Sequence, residues 1–420
     1  MRKLSNIFAA ILLLFTVTVP ATSASAADYK VIHNFCSEGA PCPNGFAGFY
    51  VTRDAAGNIY GLADGGASYA YTGLIWELSP KPTPGKWAYR VLYRFCSKHD
   101  CNDSFMPSTA LTIDKAGNLY GATCGNGGVI YRLSPNADRS AWSYRVLKRF
   151  DFQSGEQPYG ELSYAGKDAG LLYDGVSPLY GETELWPSNG TNGSIFQLTP
   201  VAGTQAWKYE TVHHFCVTDC LDGENPGSLT VDASGNLYGV AKGGGAYGVG
   251  LVFRLSPKPN GGWKETIVHT FCSEANCADG QNPSSSLVMD PSGNLIGTVG
   301  PSNTGCVAGA PGCSFIYRLS PDGHETIVYK TCQTTSCPEG ASAGSLVSDG
   351  TGNIYGTTGT AVFVLRKEKT LKTFNCAAQN CGQPNTPLII YNPTTLIGTG
   401  GRGLYGQGSV FEITHNPLPQ

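Results

Sequence analysis

Apolar and polar positions alternate along this chain in short runs. Trp207 to Phe215 (WKYETVHHF) alternates throughout, Ser228 to Asp232 (SLTVD) and Asn236 to Val240 (NLYGV) are brief and apolar, and Leu251 to Leu255 (LVFRL) stops at Ser-Pro. Alternation over about four to eight residues, bordered by Gly, Pro, Asn and Asp, predicts β-strands. The same set returns with the phrases Gly57-Asn58-Ile59-Tyr60-Gly61, Gly117-Asn118-Leu119-Tyr120-Gly121, Gly235-Asn236-Leu237-Tyr238-Gly239, Gly293-Asn294-Leu295-Ile296-Gly297 and Gly352-Asn353-Ile354-Tyr355-Gly356. Degenerate copies stand at Ser177-Pro178-Leu179-Tyr180-Gly181 and Thr395-Leu396-Ile397-Gly398. A spacing of about sixty residues, shorter at the last step, makes seven units. Four strands per unit is a propeller blade, so the predicted fold is all-β: a seven-bladed β-propeller over residues 27–420 in one domain.

The turn before each phrase has a mechanical reason. In Asp232-Ala233-Ser234-Gly235-Asn236 the Asp side chain caps the turn and Gly or Asn takes a positive φ. One carboxylate per turn is too few for calcium, which wants six or more oxygens. The phasing also predicts ring closure. The chain starts on an outer-type strand, Tyr29 to Phe35, and ends on a third-type strand, Val410 to Thr414. Pairing them makes the N-terminal strand the outermost strand of the last blade and leaves no sheet edge open at the seam.

Composition agrees with many turns and little helix: 55 Gly, 26 Pro and 22 Tyr, with 14% charged residues. Arg2-Lys3, the apolar run Ile7 to Val19 and Ala24-Ser25-Ala26 read as a secretory signal peptide over residues 1–26, with no membrane anchor expected after cleavage. Without Arg2 and Lys3, 26 basic residues face 31 acidic ones, which argues against a nucleic-acid partner. A secreted or periplasmic monomer is expected.

The DxxGNLYG phrase, the glycine-rich stretch and VFRLSP resemble the GloVer tandem repeat of secreted bacterial proteins, best from Asp232 to Pro257 and least from Asp151 to Pro200. The resemblance implies a propeller-like secreted protein and no catalytic residue.

Fifteen cysteines in such a chain point to disulfides. Cys36 with Cys42, Cys96 with Cys101, Cys216 with Cys220, Cys272 with Cys277, Cys332 with Cys337, and Cys376 with Cys381 follow the outer strand in six of seven units. Each pair is expected to stiffen the loop crossing to the next blade. Cys306 and Cys313 make a seventh pair elsewhere, and Cys124 is left over. Separate pairs do not make a tetrahedral zinc site, so no metal is assigned to them.

Motif-like strings carry little chemistry. Gly340-Ala341-Ser342-Ala343-Gly344 lacks the strand–turn–helix of a nucleophile elbow, and Gly243 to Gly248 and Gly401 to Gly406 precede no helix. His213, His214 and His269 fall on the outermost strand, where exposure would account for them. A symmetric set of acids follows the crossover cysteines: Asp103, Asp222, Asp279 and Glu339, with Glu156 in unit three. Around the axis they would form a carboxylate ring able to hold a cation or sugar hydroxyls, or a glycosidase acid pair, although Asp and Gly also simply make turns. Unit three departs furthest from the pattern and carries Glu182, Glu184 and Trp186, a set suited to a sugar ring. The expected function is binding of an extracellular glycan or protein. The alternatives are a channel enzyme acting on glycans, which would need two converging titratable groups of shifted pKa, and a purely structural envelope protein. No cofactor is expected, a cation in the channel aside.

Overall fold

The computed structural model describes residues 28–39, 42–65, 72–150, 156–185, 192–227, 229–283, 287–300, 313–332, 343–358, 361–366, 369–375, 386–401 and 407–416. The expected signal peptide, Trp186, Glu339, Cys306, Cys337, Cys376 and Cys381 lie outside them. The described chain forms seven antiparallel sheets arranged as a seven-bladed β-propeller, and its only helical turns are short 3-10 pieces. Blade one shows the plan, with strands Phe46–Arg53, Ile59–Asp64, Leu74–Pro80 and Trp87–Arg94 running outward from the axis in sequence order. Blade seven takes Ile389–Asn392, Thr395–Gly400 and Ser409–Thr414 from the C-terminal end and Asp28–Asn34 from the N-terminal end. Asp28 pairs with Thr414 and Asn34 with Ser409, so the ring closes as expected.

The core lies between blades. Each of the seven apolar clusters draws its residues from two consecutive sheets; one joins Tyr355, Val362 and Val364 to Leu388, Leu396 and Phe411, and another joins Phe35 and Val410 to Trp76. No blade could bury its faces alone, which is why the repeat must be iterated and closed.

The repeated phrase is a hydrogen-bonded unit. Asp54 Oδ1 accepts from the Asn58 N–H (2.9 Å) and Oδ2 from the Asn58 amide (2.8 Å), while Gly57 sits at φ +84°. Asp114, Asp232, Asp290 and Asp349 hold Asn118, Asn236, Asn294 and Asn353 in the same way. Where the next residue but one is Tyr60, Tyr120 or Tyr238, its hydroxyl donates to the same carboxylate. Both carboxylate oxygens are thereby committed to the turn.

Four crossover disulfides form as expected: Cys36–Cys42, Cys96–Cys101, Cys216–Cys220 and Cys272–Cys277. Cys313 and Cys332 are disulfide-bonded as well. Cys124 is a half-buried free thiol, and burial pushes its pKa up. Gly243 to Gly248 lie at the hairpin between Leu237–Gly243 and Leu251–Pro257.

Candidate functional site in the central channel

Blade three builds the channel differently from the others. Its inner strand, Glu156–Ser163, is followed not by a five-residue DxxGN turn but by a longer segment that reaches the second strand only at Leu179. The extra chain, residues 164–173, crosses the channel. Tyr173 exchanges backbone hydrogen bonds with Ile113 and Lys115 of blade two. Asp168 accepts from the Thr230 hydroxyl of blade four and, at 3.1 Å, from the Met289 N–H of blade five. Ala169 lies against Gly350 of blade six. The Tyr164 hydroxyl donates to Leu171 O at 2.7 Å and holds the excursion closed on itself. One strap thus touches four other blades.

Beside the strap lies a cavity of about 420 Å³. Its polar lining includes Arg53, Glu161 and Lys167, and its apolar lining Ile113, Leu171 and Ile390. Lys167 pairs with Glu161 at 2.7 Å, and Arg53 Nε donates to Ile390 O at 3.0 Å. Burial opposes the charge on Lys167, yet Glu161 and Asp168 outweigh it and raise its pKa. Burial raises that of Asp168 in spite of Lys167.

Behind the cavity wall stands Glu182, 1% exposed, its carboxylate folded over Gly160, where a Cβ would overlap Oε1. Glu182 Oε2 has no hydrogen-bond partner. Burial pushes the carboxyl well above its ordinary pKa, against the opposing pull of Lys242 and Lys167. Lys242, from blade four, pairs with Glu184 at 3.0 Å and stands 5.4 Å from the centre of the Tyr159 ring. Tyr50 of blade one faces the same groups; burial, then Tyr159, Glu161 and Glu182, push its hydroxyl to about 12. A chain of ionisable groups from Asp168 through Lys167, Glu161 and Glu182 to Lys242 and Glu184 therefore runs through the channel on the blade-three side.

The sequence of residues 49–308 and 174–363 matches the model of the Gloeobacter/Verrucomicrobia repeat. The chain belongs to the Gloeobacter/Verrucomicrobia repeat family. No curated protein matches it. Among solved structures, this repeat-family propeller is similar to PorZ, a bacterial surface component of the type-IX secretion system of Porphyromonas gingivalis (11% identity, TM-score 0.52, 87% of this chain and 46% of that one). It is also similar to the extracellular domain of BT4673 from B. thetaiotaomicron (14%, 0.51, 92% and 42%) and to Sqt1 from Chaetomium thermophilum (12%, 0.50, 85% and 83%). The chain spans under half the length of the first two, and at these identities the likeness is one of fold.

In the repeat-family propeller the expected acids separate into two groups. Glu182 and Glu184 come together at the channel, and Glu156 lies on the inner strand opposite Leu185. Asp103, Asp222 and Asp279 do not ring the axis; they stand at the outer strands. Asp103 accepts from the Tyr93 hydroxyl (2.6 Å) and from Ser97 N and Oγ, Asp222 from Cys216 N (2.9 Å), and Asp279 from Ser273 N and Oγ. The reason is local: each carboxylate caps the loop N–H groups just past its own outer strand, which keeps it at the periphery.

The histidines also differ from expectation. His213 and His269 are not simply exposed, their side chains being 22% and 12% accessible, because the outer strand of the next blade covers them. The strap and these inter-blade contacts escaped the sequence reading. The strap had a signal, the extra residues between Ser163 and Leu179.

Proposed function

We propose that this protein is an extracytoplasmic binding propeller whose axial cavity takes a small glycan. One observation carries the reading: among the described residues only blade three inserts a strap across the channel, and that strap walls a cavity combining charged hydrogen-bonding groups with an apolar strip. The volume lies within the range of small-molecule sites, about 300–1,000 Å³. Arg53, Glu161 and Lys167 offer donors and an acceptor for hydroxyl or carboxylate groups, and Ile113, Leu171 and Ile390 suit the C–H face of a sugar ring. The disulfides support an oxidising compartment.

A glycan and cell-wall polymer binding screen tests this, repeated on Arg53→Gln and Glu161→Gln. Loss of at least tenfold in affinity in both variants is expected, and undiminished binding in both moves the site out of the cavity. A second reading, a channel enzyme, is favoured by Glu182, a carboxyl whose pKa burial pushes well above its ordinary value beside charged neighbours. It requires turnover of a bound glycan that Glu182→Gln abolishes while binding survives.

A further inference from the structure

The outer strands of adjacent blades meet through a repeated pair. One member lies two residues before the Phe that ends the strand; the other lies at the start of the next blade's outer strand, two residues after its Trp at the first four junctions and two after Gly323 at the fifth. At three junctions the pair stacks on a ring: His33 on Tyr89 at 4.2 Å, Tyr93 on Tyr144 at 4.5 Å, and the Lys148 ammonium over Tyr209 at 4.4 Å. At the next two junctions the aromatic position holds a carboxylate and the first position a histidine: His213 with Glu265, and His269 with Glu325. A carboxylate in a slot that elsewhere buries a ring is costly unless something neutralises it.

Each of these two junctions also brings a third donor from the crossover loop. The Cys216–Cys220 loop delivers Asp222, whose Oδ2 lies 3.3 Å from His213 Nε2, and Glu265 Oε2 lies 3.7 Å from the same nitrogen. The Cys272–Cys277 loop delivers Asp279, with Oδ2 3.7 Å and Glu325 Oε2 3.8 Å from His269 Nε2. The second set is enclosed, its side chains 12% (His269), 1% (Asp279) and 11% (Glu325) accessible. In both sets the ring Nε2 and the Glu Oε1 are buried without a hydrogen-bond partner. Donors bound to one ion at about 2.0–2.2 Å in a tetrahedron stand about 3.3–3.6 Å apart, close to the separations found. One neutral imidazole and two carboxylates suit zinc or a neighbouring first-row divalent ion better than calcium or magnesium.

From this geometry we propose that His213, Asp222 and Glu265 form one binding site for a divalent first-row metal ion, zinc foremost, and that His269, Asp279 and Glu325 form a second. The ion satisfies the orphaned nitrogen and carboxylate oxygens, ties consecutive blades together through their crossover loops, and keeps a coordination position for water. The sites are remote in the fold from the axial cavity and do not depend on it.

The test titrates the oxidised, chelator-treated full chain with zinc by calorimetry and counts bound metal after dialysis, in a Cys124→Ser background that removes the free thiol. Two ions per chain are expected. Glu265→Tyr and Glu325→Tyr restore the ring found at the three preceding junctions, so they should fold with unchanged circular dichroism while each loses one ion, and the double variant loses both. His213→Gln and His269→Gln should weaken their own site at least tenfold. No zinc bound to the parent chain, or two ions still bound to a folded double variant, overturns the proposal. Loss confined to one pair of variants overturns the site at the other junction.

Discussion

Gly239 lies opposite Phe253 in the pairing of the second and third strands of blade four, and a Cβ on Gly239 would come within 2.5 Å of the Phe253 ring. The same opposition recurs at Gly181 with Phe196 and at Gly398 with Phe411, in the two units whose turn phrase has decayed. The last glycine of the phrase is thus a packing requirement, separate from the turn. Gly239→Ala should destabilise the protein by about 1–3 kcal/mol, the usual cost of overpacking a tight core. Phe253→Leu in the same chain should recover part of that loss in a double-mutant cycle of denaturant unfolding. A wild-type midpoint for Gly239→Ala would mean that the ring does not require the glycine.

Much of the fold was legible because its signals are local and periodic. Asp232 and Asn236 announce their turn within five residues, Cys272 and Cys277 their loop within six, and the terminal strands their pairing by matching the repeat's phase. The central site was legible only in part. Glu182 and Glu184 stood out because unit three breaks the pattern, but the crossing of residues 164–173 depends on Thr230 and Met289, which are far away in the sequence. Alternation likewise identifies two faces of the outer strand around His213 without telling that the next blade covers one of them. Glu265 is therefore half-hidden in space while ordinary in sequence.

The inter-blade clusters make stability depend on pH in a definite direction. Burial, then Asp222, raise Glu265 from its usual range to about 7, and burial, then Asp279 and Glu274, raise Glu325 to about 8. Burial lowers His213 and His269 against the pull of Asp222 and Asp279. Between about pH 4.5 and 6.5 the folded glutamates hold protons that the unfolded chain has released, while the lowered histidines pull the balance the other way. Above about 6.5 the unfolded histidines are neutral while the folded glutamates still hold protons. Stability of the metal-free chain should then fall as pH rises through 7 and 8. Thermal unfolding from pH 6 to 8.5 checks this, and Glu265→Gln with Glu325→Gln should flatten the slope; a slope unchanged by both removes the glutamates as its source.

The seam should be as strong as any blade. Asp28–Asn34 supplies a full outer strand to blade seven, and Lys30 pairs with Glu412 at 3.0 Å across it. The exposed ion pair contributes little, but each ladder hydrogen bond contributes about 0.5–1.5 kcal/mol. A chain lacking residues 28–34 should lose several kcal/mol and expose Ser409–Thr414 as an open edge, read as a lower denaturant midpoint and as association in sedimentation. A monomeric product with the parent midpoint would show that closure adds no stability.

The strap should loosen when its anchor is removed. Asp168 is the residue that ties it to blades four and five, through the Thr230 hydroxyl and the Met289 N–H. Hydrogen bonds to a charged group contribute about 1.5–3 kcal/mol each, and about 1.4 kcal/mol is a factor of ten in an opening equilibrium. Asp168→Ala should therefore raise amide exchange of residues 164–172 by at least tenfold, with the strands of blades one and six unaffected, since local opening is independent of global unfolding. The Tyr164 to Leu171 bond keeps the strap's own turn, so the loss should show as detachment and not as unravelling. Exchange rising equally in every blade would instead mark Asp168 as a determinant of the whole ring, and unchanged exchange would show that the contacts of Tyr173 with blade two hold the strap by themselves.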